Sequence, residues 1–548
     1  MTVADGRVGA IAPPGKWWGW GDPNKRLPLG AGAIRMLREQ LGEAQPSRRV
    51  ELDEVFLPPP RELPAAVSQA VNPASVLTAH EHRLRRAAGK SYPDLVRLRS
   101  GRPGAAPDAV VMPGTAEQVA GVLEACARER VAVVPFGGGT SVVGGVEPLG
   151  GDAGAVISLD LRRMRAVSVD PVSMTATLGA GLRGPEAEEA LRAEGMTLGH
   201  FPQSFEYATI GGFAATRSAG QASSGYGRFD EMVTSLTMVT PIGEFRTLAT
   251  PHSAAGPALR ELALGSEGVL GAITEVTVRV RPAPSARRYE GWITADFDSG
   301  TELLRTLAQA GALPDVTRLS GEAETRVSMA LAGTDGPRRW LLDAYLALRR
   351  RRGGCLVICG WEGTREDVER RRAISASLLR TAGAAALGER PGRAWERGRF
   401  EGPYLRDELM DRGYLIETLE TAHTWSRLGE LYRAVGDAIA TALRAQGTPG
   451  IVMCHVSHVY RDGASLYFTL ASRARPGEEL EQWRAVKTAA CEAIVATGGT
   501  ITHHHAVGRD HASFMRAEVG ETGLEALRAL KERLDPAGIM NPGKLIPI

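Results

Sequence analysis

The stretch VVPFGGGTSVVGG, residues 133–145, places five glycines directly behind a short apolar run. Glycine at this density costs conformational entropy on folding, so something must require a backbone without side chains here. Consecutive amide groups that carry no Cβ atoms form a nest that suits a pyrophosphate. The spacing matches neither a P-loop nor the GxGxxG fingerprint of a Rossmann fold. A tight turn between two strands is the alternative interpretation.

The order of predicted elements around this loop indicates an α+β fold. A chain of 548 residues is expected to form more than one domain. From residue 107 the pattern reads strand, helix, strand and glycine loop, followed by short alternating strands. We therefore predict a helical N-terminal segment over 1–105, a nucleotide-binding domain over 106–285, a second α+β domain over 286–500 and a C-terminal segment over 501–548.

Composition excludes several classes of protein. An apolar content of 43% with 23% charged residues is typical of a globular chain, and the net charge of +2 gives no support for nucleic-acid binding. The five cysteines are scattered and form neither a disulfide framework nor a paired metal motif. The chain has no apolar run of eighteen residues and no secretory signal pattern at its start. We expect a cytoplasmic protein.

Two further glycine-rich segments, 199–233 and 265–276, follow the first loop. Three such segments suit an extended dinucleotide held between two small sheets. Here the sequence resembles the FAD-binding domain of flavoenzymes of the vanillyl-alcohol-oxidase type. In that family PFGGGTS binds the pyrophosphate, and the other two segments line the isoalloxazine and adenosine ends. The resemblance implies a two-subdomain FAD-binding domain, an α+β cap domain that holds substrate, and non-covalent FAD.

The same resemblance assigns cofactor contacts to the three segments and to one arginine of the second domain. These residues are Pro135, Phe136, Gly137, Gly138, Gly139, Thr140, Ser141, Gln203, Ser204, Phe205, Glu206, Tyr207, Ala208, Thr209, Thr216, Arg217, Ser218, Ala219, Glu267, Gly268, Val269, Leu270, Gly271, Ala272, Ile273 and Arg318. His200 is either a further flavin contact or a polar residue of the loop.

The second half of the chain resembles the alkyldihydroxyacetonephosphate synthase family, the flavoenzymes of ether-lipid synthesis. The resemblance rests on SHVYRDGASLYFTL (457–470), GGTITHHHAVGRD (498–510) and KWWGWGDPNKRLPL (16–29), and it runs in the same order through nearly the whole chain. It implies that the acyl group of acyl-dihydroxyacetone phosphate is exchanged for a long-chain alcohol through a flavin N5 adduct.

His503, His504 and His505 are the most specific part of this resemblance. Side chains at consecutive positions of an extended chain point apart, and no acidic ligand lies nearby in sequence, so we expect no metal site. A polar turn in the core is a second interpretation. The favoured interpretation is that these histidines act as acids and bases and bind phosphate, since imidazole transfers protons near neutral pH.

Tyr467 and Arg406 complete the predicted site. Alternation in ASLYFTL places Tyr467 on the face opposite Leu466 and Phe468, where a core role is the ordinary outcome. By resemblance Tyr467 is the tyrosine that removes a proton from substrate C1, and Arg406 is the arginine that binds the substrate's anionic group. A phenol with a pKa of about 10 is a poor base, so we expect a cationic neighbour to favour the phenolate.

The tail DPAGIMNPGKLIP, residues 535–547, resembles flavin-dependent 2-hydroxyacid dehydrogenases and motivates an alternative function. In an FAD-dependent oxidase or dehydrogenase of a hydroxyacid or alcohol, Arg406 would hold a carboxylate and the histidines would take the hydroxyl proton. A flavoprotein without catalytic activity is a third interpretation. The expected partner is thus a lipid-like or hydroxyacid small molecule.

RRWLLDAYLALRRRR, residues 338–352, places a largely apolar stretch between arginines. A helix of this pattern either packs on the second domain or lies on an anionic membrane surface. Packing on the second domain is the favoured interpretation, and peripheral membrane contact is the alternative. We also expect a cytoplasmic homodimer.

Overall fold

The computed structural model describes residues 6–7, 11, 13–331 and 337–547. For residues 6–7 and 337–340 only the backbone is described, so the side chains at the start of the 338–352 segment lie outside the described residues.

Strands in the described residues form four sheets. In chain order they are β1 (Gly6–Arg7), β2 (Val76–Leu77), β3 (Ala109–Val111), β4 (Val131–Phe136), β5 (Ala155–Asp160), β6 (Ala166–Asp170), β7 (Thr175–Gly179), β8 (Met196–Thr197), β9 (Val233–Thr240), β10 (Gly243–Arg246), β11 (Ala272–Arg279), β12 (Arg281–Pro282), β13 (Ala286–Thr294), β14 (Val316–Ser320), β15 (Cys355–Gly363), β16 (Ala385–Gly388), β17 (Tyr414–Thr424), β18 (Ile451–Val459) and β19 (Gly463–Arg473).

Helices connect and cover these sheets. They are α1 (Ala31–Leu41), α2 (Ala65–Gln69), α3 (His80–Leu84), α4 (Tyr92–Arg99), α5 (Ala116–Glu129), α6 (Gly184–Ala193), α7 (Ile210–Ala215), α8 (Ser223–Tyr226), α9 (Phe229–Met232), α10 (Arg260–Ala263), α11 (Phe297–Gln309), α12 (Glu322–Leu331), α13 (Pro337–Leu348), α14 (Arg365–Thr381), α15 (Glu389–Gly398), α16 (Gly402–Asp411), α17 (Trp425–Ala445), α18 (Glu479–Thr497) and α19 (Met515–Leu534).

The glycine loop follows β4 in a four-stranded sheet of order β2-β3-β5-β4. β5 pairs in parallel with β3 and with β4, and all six of its residues are buried, as expected for a central parallel strand covered on both faces. The loop thus leaves the carboxyl end of a buried parallel strand, which is where open α/β sheets bind ligands.

A six-stranded antiparallel sheet of order β1-β6-β7-β11-β9-β10 lies next to this sheet. Val239 and Ala272 from the six-stranded sheet pack in the same core cluster as Val133 and Ile157 of the four-stranded sheet. The C-terminal tail returns to β4, where the Val133 amide donates to Ile539 O at 2.8 Å. The tail is therefore part of the unit that carries the glycine loop.

The second half of the chain is built on a seven-stranded sheet of order β16-β13-β15-β14-β18-β19-β17. Its longest pairing, at one edge of the sheet, joins β17 to β19 in antiparallel register from Tyr414↔Arg473 to Thr424↔Gly463. One face packs in a large core that includes Leu466, Phe468 and residues of α11, α14, α17 and α18. The predicted α+β fold is confirmed, and the other sheet face is left to form a cavity wall.

Candidate active site

A cavity of about 500 Å³ lies between the glycine loop and the face of the seven-stranded sheet that carries Tyr467. Tyr467 lines this cavity and its strand neighbours Leu466 and Phe468 are buried in the core, so the predicted alternation is confirmed. His504, His505 and Arg406 reach the same cavity. Side chains that are far apart in sequence thus meet opposite the glycine loop.

Most of the residues assigned to the cofactor line this cavity. They are Pro135, Phe136, Gly137, Gly138, Gly139, Thr140, Ser141, Gln203, Ser204, Ala208, Thr209, Thr216, Ser218, Ala219, Glu267, Gly268, Gly271, Ile273 and Arg318.

The other assigned residues lie behind this first layer. Val269 and Leu270 pack in one core cluster and Ala272 in another, and Phe205, Glu206 and Tyr207 lie outside the cavity lining. Arg217 forms ion pairs with Asp230 at 3.1 Å and Glu261 at 2.6 Å, which hold its guanidinium away from the cavity.

His200 and His503 do not line the cavity either. The His200 Nε2 atom lies 3.0 Å from the Ser218 hydroxyl, and the ring packs against Phe213 and Phe229. Burial lowers the pKa of His200 to about 3. His200 is therefore a neutral residue of the second layer.

The glycine loop has the properties that a dinucleotide phosphate requires. Within the described part of the chain, no hydrogen bond uses the amide groups of Gly138, Gly139 or Thr140. A Cβ atom on Gly138 would lie 2.1 Å from the Tyr207 carbonyl oxygen, so the loop is held tightly against the 207–209 backbone. Free amides on a closely packed loop that faces a large cavity fit the pyrophosphate of FAD.

Glu420, on β17, organises the three consecutive histidines. Its fully buried carboxylate accepts hydrogen bonds from the backbone amides of His503, His504 and His505, at 3.1 Å for His504 and 2.7 Å for His505. The Thr502 hydroxyl adds a fourth bond at 2.7 Å. Burial acts to raise the pKa of Glu420, but the rings of His504, His505 and His503 and the Thr502 hydroxyl hold it well below its usual value. Glu420 remains a carboxylate.

This carboxylate overturns the expectation that consecutive histidine rings point apart. The backbone curls around Glu420 instead of running extended, and Ala506 takes a φ of 74°. The Nδ1 atoms of His503 and His504 consequently lie 2.9 Å apart. Burial lowers the pKa of His504 and lowers that of His505 to about 3, so both rings are neutral at neutral pH.

His458, His503 and His504 bring ring nitrogens within 4.8 Å of one another, which is a grouping that a metal ion can use. Other hydrogen bonds occupy some of these nitrogens. His458 Nδ1 lies 2.6 Å from the Ser223 hydroxyl, and His503 Nε2 lies 2.7 Å from the Tyr460 hydroxyl. The absence of a metal stays a prediction, and hydrogen bonding accounts for this arrangement.

Tyr467 stacks on His455 at a centroid distance of 4.8 Å and lies 5.4 Å from the His505 ring. Burial, assisted by the carboxylates of Glu420 and Glu417, raises the pKa of Tyr467 to about 12. The expectation that a cationic neighbour favours the phenolate is therefore wrong, because burial outweighs the lowering effect of Arg318 on the pKa of Tyr467.

Arg406, on α16, presents a partly unsatisfied guanidinium to the cavity. Its Nη1 donates to the Lys90 carbonyl at 2.7 Å, while the buried Nε and Nη2 atoms have no hydrogen-bond partner. The nearest carboxylate oxygen, on Asp407, is 3.9 Å from Nη2. Unpaired buried donors are costly, so this side of Arg406 is suited to an anionic ligand.

Arg318 lies in a small ionic cluster that sequence analysis missed. It donates to Glu324 and lies 3.1 Å from His455 Nδ1, which is itself 2.9 Å from Glu324 Oε2. The available signal was alternation, because His455 and Ser457 occupy the cavity face of β18 next to Tyr467 on β19. No local signal indicated Glu324 or Glu420.

Family models match most of the chain. The "FAD binding domain" model matches residues 107–249, and the "FAD linked oxidases, C-terminal domain" model matches residues 283–545.

Relatives match over nearly the full length. Alkyldihydroxyacetonephosphate synthase from Dictyostelium discoideum is 32% identical and covers 97% of this chain and 93% of its own. The synthase from Trypanosoma brucei brucei is 32% identical, with 97% and 92% covered. An FAD-linked oxidoreductase from Escherichia coli K12 is 30% identical, with 81% and 89% covered.

Solved structures agree. One of alkyldihydroxyacetonephosphate synthase superposes with a TM-score of 0.84 at 28% identity, covering 96% of this chain and 98% of its own. p-Cresol methylhydroxylase shares the fold, with a TM-score of 0.66 at 15% identity, covering 88% and 96%.

Proposed function

Since the chain belongs to the alkyldihydroxyacetonephosphate synthase family, we propose that it exchanges the acyl group of acyl-dihydroxyacetone phosphate for a long-chain alcohol, forming an ether lipid precursor. The protein is an FAD-dependent enzyme. The observation that carries the proposal is the convergence of Arg406, Tyr467 and His504 on one cavity with the glycine loop.

Arg406 is proposed to bind the phosphate of the substrate. Arg406 lines the cavity, its Nε and Nη2 atoms are buried and unpartnered, and a planar guanidinium matches two oxygens of a phosphate. Ligation of the phosphate there fixes one end of the substrate and so limits where its C1 carbon can lie. Bound FAD supplies the electrophilic ring with which this carbon reacts.

Tyr467 and the neutral histidines are proposed to move the C1 proton. Because the pKa of Tyr467 is raised to about 12, its phenol stays protonated until it can pass that proton on. Neutral His504 and His505 lie beside it, and His505 offers a ring nitrogen with a free electron pair, since His504 Nδ1 already faces His503 Nδ1 at 2.9 Å. Tyr467 then takes the substrate proton as its own proton moves to a histidine.

Oxidation of a hydroxyacid or alcohol is the second candidate function. The match to an FAD-linked oxidoreductase over 81% of the chain supports it. In this reaction Arg406 would hold the substrate carboxylate, and His504 would accept the hydroxyl proton. The same cavity would serve both reactions.

One experiment separates the two functions. Purified FAD-loaded protein is incubated with palmitoyl-dihydroxyacetone phosphate and hexadecanol, and in parallel with a panel of hydroxyacids and a dye acceptor. We expect an ether product and release of palmitate without dye reduction. Dye reduction by a hydroxyacid without any ether product would replace the first proposal by the second.

The segment 338–352 is proposed to contact a membrane surface. No helix in the described ranges is long and apolar enough to cross a bilayer. On α13, Leu346 packs with Ile293 and Ala385, while Leu341 and Leu348 are exposed just before a run of arginines. This combination of exposed leucines and cations suits an anionic surface.

Flotation with phosphatidylglycerol vesicles at low salt tests this contact. We expect the protein to co-float and the double variant Leu341→Asp, Leu348→Asp to remain at the bottom. Failure of the wild-type protein to co-float would remove the membrane proposal. The cytoplasmic homodimer stays a prediction, which light scattering and cell fractionation can test.

A further inference from the structure

A line of hydrogen bonds leads from the active-site cavity to a second groove. His504 lines the cavity, and its Nδ1 atom is 2.9 Å from His503 Nδ1. His503 Nε2 is 2.7 Å from the Tyr460 hydroxyl. Tyr460 lines a separate groove of about 460 Å³, whose wall includes the exposed residue Asp462. The line therefore starts at the proposed reaction site and ends at the protein surface.

We infer that His503 and Tyr460 form a proton relay between His504 and solvent in this groove. Neither residue lines the cavity, so both act through His504 and not on the substrate itself. The inference rests on the proposed function, because the reaction supplies the proton that has to move. Exchange of an ester acyl group for an alcohol releases an ionised fatty acid and one proton.

The donors and acceptors along the line are consistent. The Arg228 side chain donates a hydrogen bond to the Tyr460 oxygen, so the Tyr460 O–H donates to His503 Nε2. His503 then carries its proton on Nδ1 and donates to His504 Nδ1, which leaves the Nε2–H of His504 for the cavity. When His504 gives its Nε2 proton to the cavity, each proton moves one place inward and Tyr460 takes one from water in the groove. The reversed line can then accept a proton from the cavity and return one to water by the opposite sequence.

Burial favours this neutral line. Burial lowers the pKa of His503 well below its usual value, and it raises the pKa of Tyr460, against the effect of Arg228. Neutral imidazoles have one donor and one acceptor nitrogen, which is the arrangement a relay requires. The separation of 2.9 Å between the two Nδ1 atoms is that of a hydrogen bond.

Tyr460→Phe removes the last hydroxyl of the line, and Tyr432→Phe is the matched control. Tyr432 is also a tyrosine of raised pKa, but it stacks on Phe297 at 4.0 Å, within the core face of the sheet. In the ether-forming assay we expect Tyr460→Phe to lower kcat at least tenfold, with unchanged KM and FAD content and a larger solvent isotope effect. Tyr432→Phe is expected to match the wild type.

A second variant distinguishes loss of proton transfer from a purely structural effect. Tyr460→Ala opens the groove toward His503, and added imidazole is expected to restore kcat in a saturable way. Unchanged kcat in Tyr460→Phe, or a low kcat in Tyr460→Ala that imidazole does not restore, would overturn the relay.

A substrate-independent measurement separates this inference from the proposed function. Nitrogen-15 NMR of histidine-labelled, FAD-loaded protein reports the tautomer of each ring. The relay predicts a proton on His503 Nδ1 and on His504 Nε2, with loss of the fixed His503 tautomer in Tyr460→Phe. The opposite tautomers, or shifts of a metal-bound ring on addition of Zn²⁺, would overturn it. If the tautomers are as expected and the wild type forms no ether, the proposed function fails and the hydrogen-bonded line stands.

Discussion

Glu420 and Tyr467 face each other directly across the antiparallel pair of β17 and β19. One residue pair therefore sets the distance between the carboxylate that holds the histidine segment and the phenol that lines the cavity. Strand pairing thus holds the histidine segment in place relative to Tyr467.

Glu420→Gln is expected to disrupt the histidine segment. A neutral amide replaces a carboxylate that accepts bonds from three backbone amides, and charge-assisted hydrogen bonds contribute about 2 kcal/mol each. We expect the free energy of unfolding to fall by about 3 kcal/mol and turnover to fall at least about 100-fold. Glu417→Gln is the control, because Glu417 bonds to Trp483 and not to the histidines. It should lose stability but retain most of its turnover.

The pH dependence of stability should identify the same carboxylate. The pKa of Glu420 is lower in the folded protein than its usual value of 4.5, so its contribution is present above pH 4.5 and lost as pH falls below it. The buried histidines, whose pKa values are also lowered, add a loss of the same sign below about pH 6.5. When the free energy of unfolding is measured by denaturant titration at several pH values, Glu420→Gln should still lose stability below about pH 6.5 because of the histidines. The further loss below pH 4.5 should be absent. An unchanged slope there would contradict this role.

Tyr467→Phe is expected to abolish ether formation while FAD content and the flavin spectrum stay unchanged. Only the hydroxyl is lost, and the ring still stacks on His455. Tyr414→Phe is the control, since its hydroxyl bonds to Gly42 O at 3.1 Å at the far end of β17. The hydroxyacid reaction predicts another pattern, in which histidine variants lose most activity and Tyr467→Phe keeps a substantial part. Wild-type ether formation by Tyr467→Phe would refute the proposed proton transfer.

The main expected effect of Arg406→Lys is weaker substrate binding. A lysine keeps the charge but replaces the planar guanidinium, whose Nε and Nη2 atoms are unpartnered, by a point charge. We expect KM to rise about 10- to 100-fold, which corresponds to about 1.4 to 2.8 kcal/mol. Arg412→Lys, at an arginine that directly follows this helix and pairs with Glu408 at 3.0 Å, should leave KM unchanged. Equal KM values for the two variants in steady-state kinetics would count against the role of Arg406.

Gly138→Ala is expected to impair FAD binding. The added Cβ atom would meet the Tyr207 carbonyl at 2.1 Å, so the loop must move away from the 207–209 backbone and its amides lose their positions. We expect the dissociation constant for FAD, measured by fluorescence quenching, to rise at least about 100-fold. Gly154→Ala is the control, because its Cβ atom would have no neighbour within 4 Å. Full FAD occupancy in purified Gly138→Ala would show that the loop is not under this constraint.

The sequence by itself determined the features that depend on local backbone chemistry. A run of glycines after a buried strand indicated a phosphate-binding loop, because only residues without side chains leave consecutive amides open. Period-two alternation likewise placed Tyr467 on the face away from the core. The family resemblance then predicted FAD as the cofactor and the class of reaction, and the matching FAD-binding domain model and the synthase relatives support both predictions.

Tertiary structure alone decided how these parts act together. Glu420 is separated from His503 by 83 positions, and Glu324 from His455 by 131, so no local pattern could join them. The direction of the histidine rings followed from a carboxylate that the neighbouring sequence does not contain. The high pKa of Tyr467 followed from burial between sheet and cavity, which exists only once β17, β18 and β19 have paired. Local sequence limits backbone conformation, whereas proton affinity depends on the charges and the solvent that the complete fold places around each group.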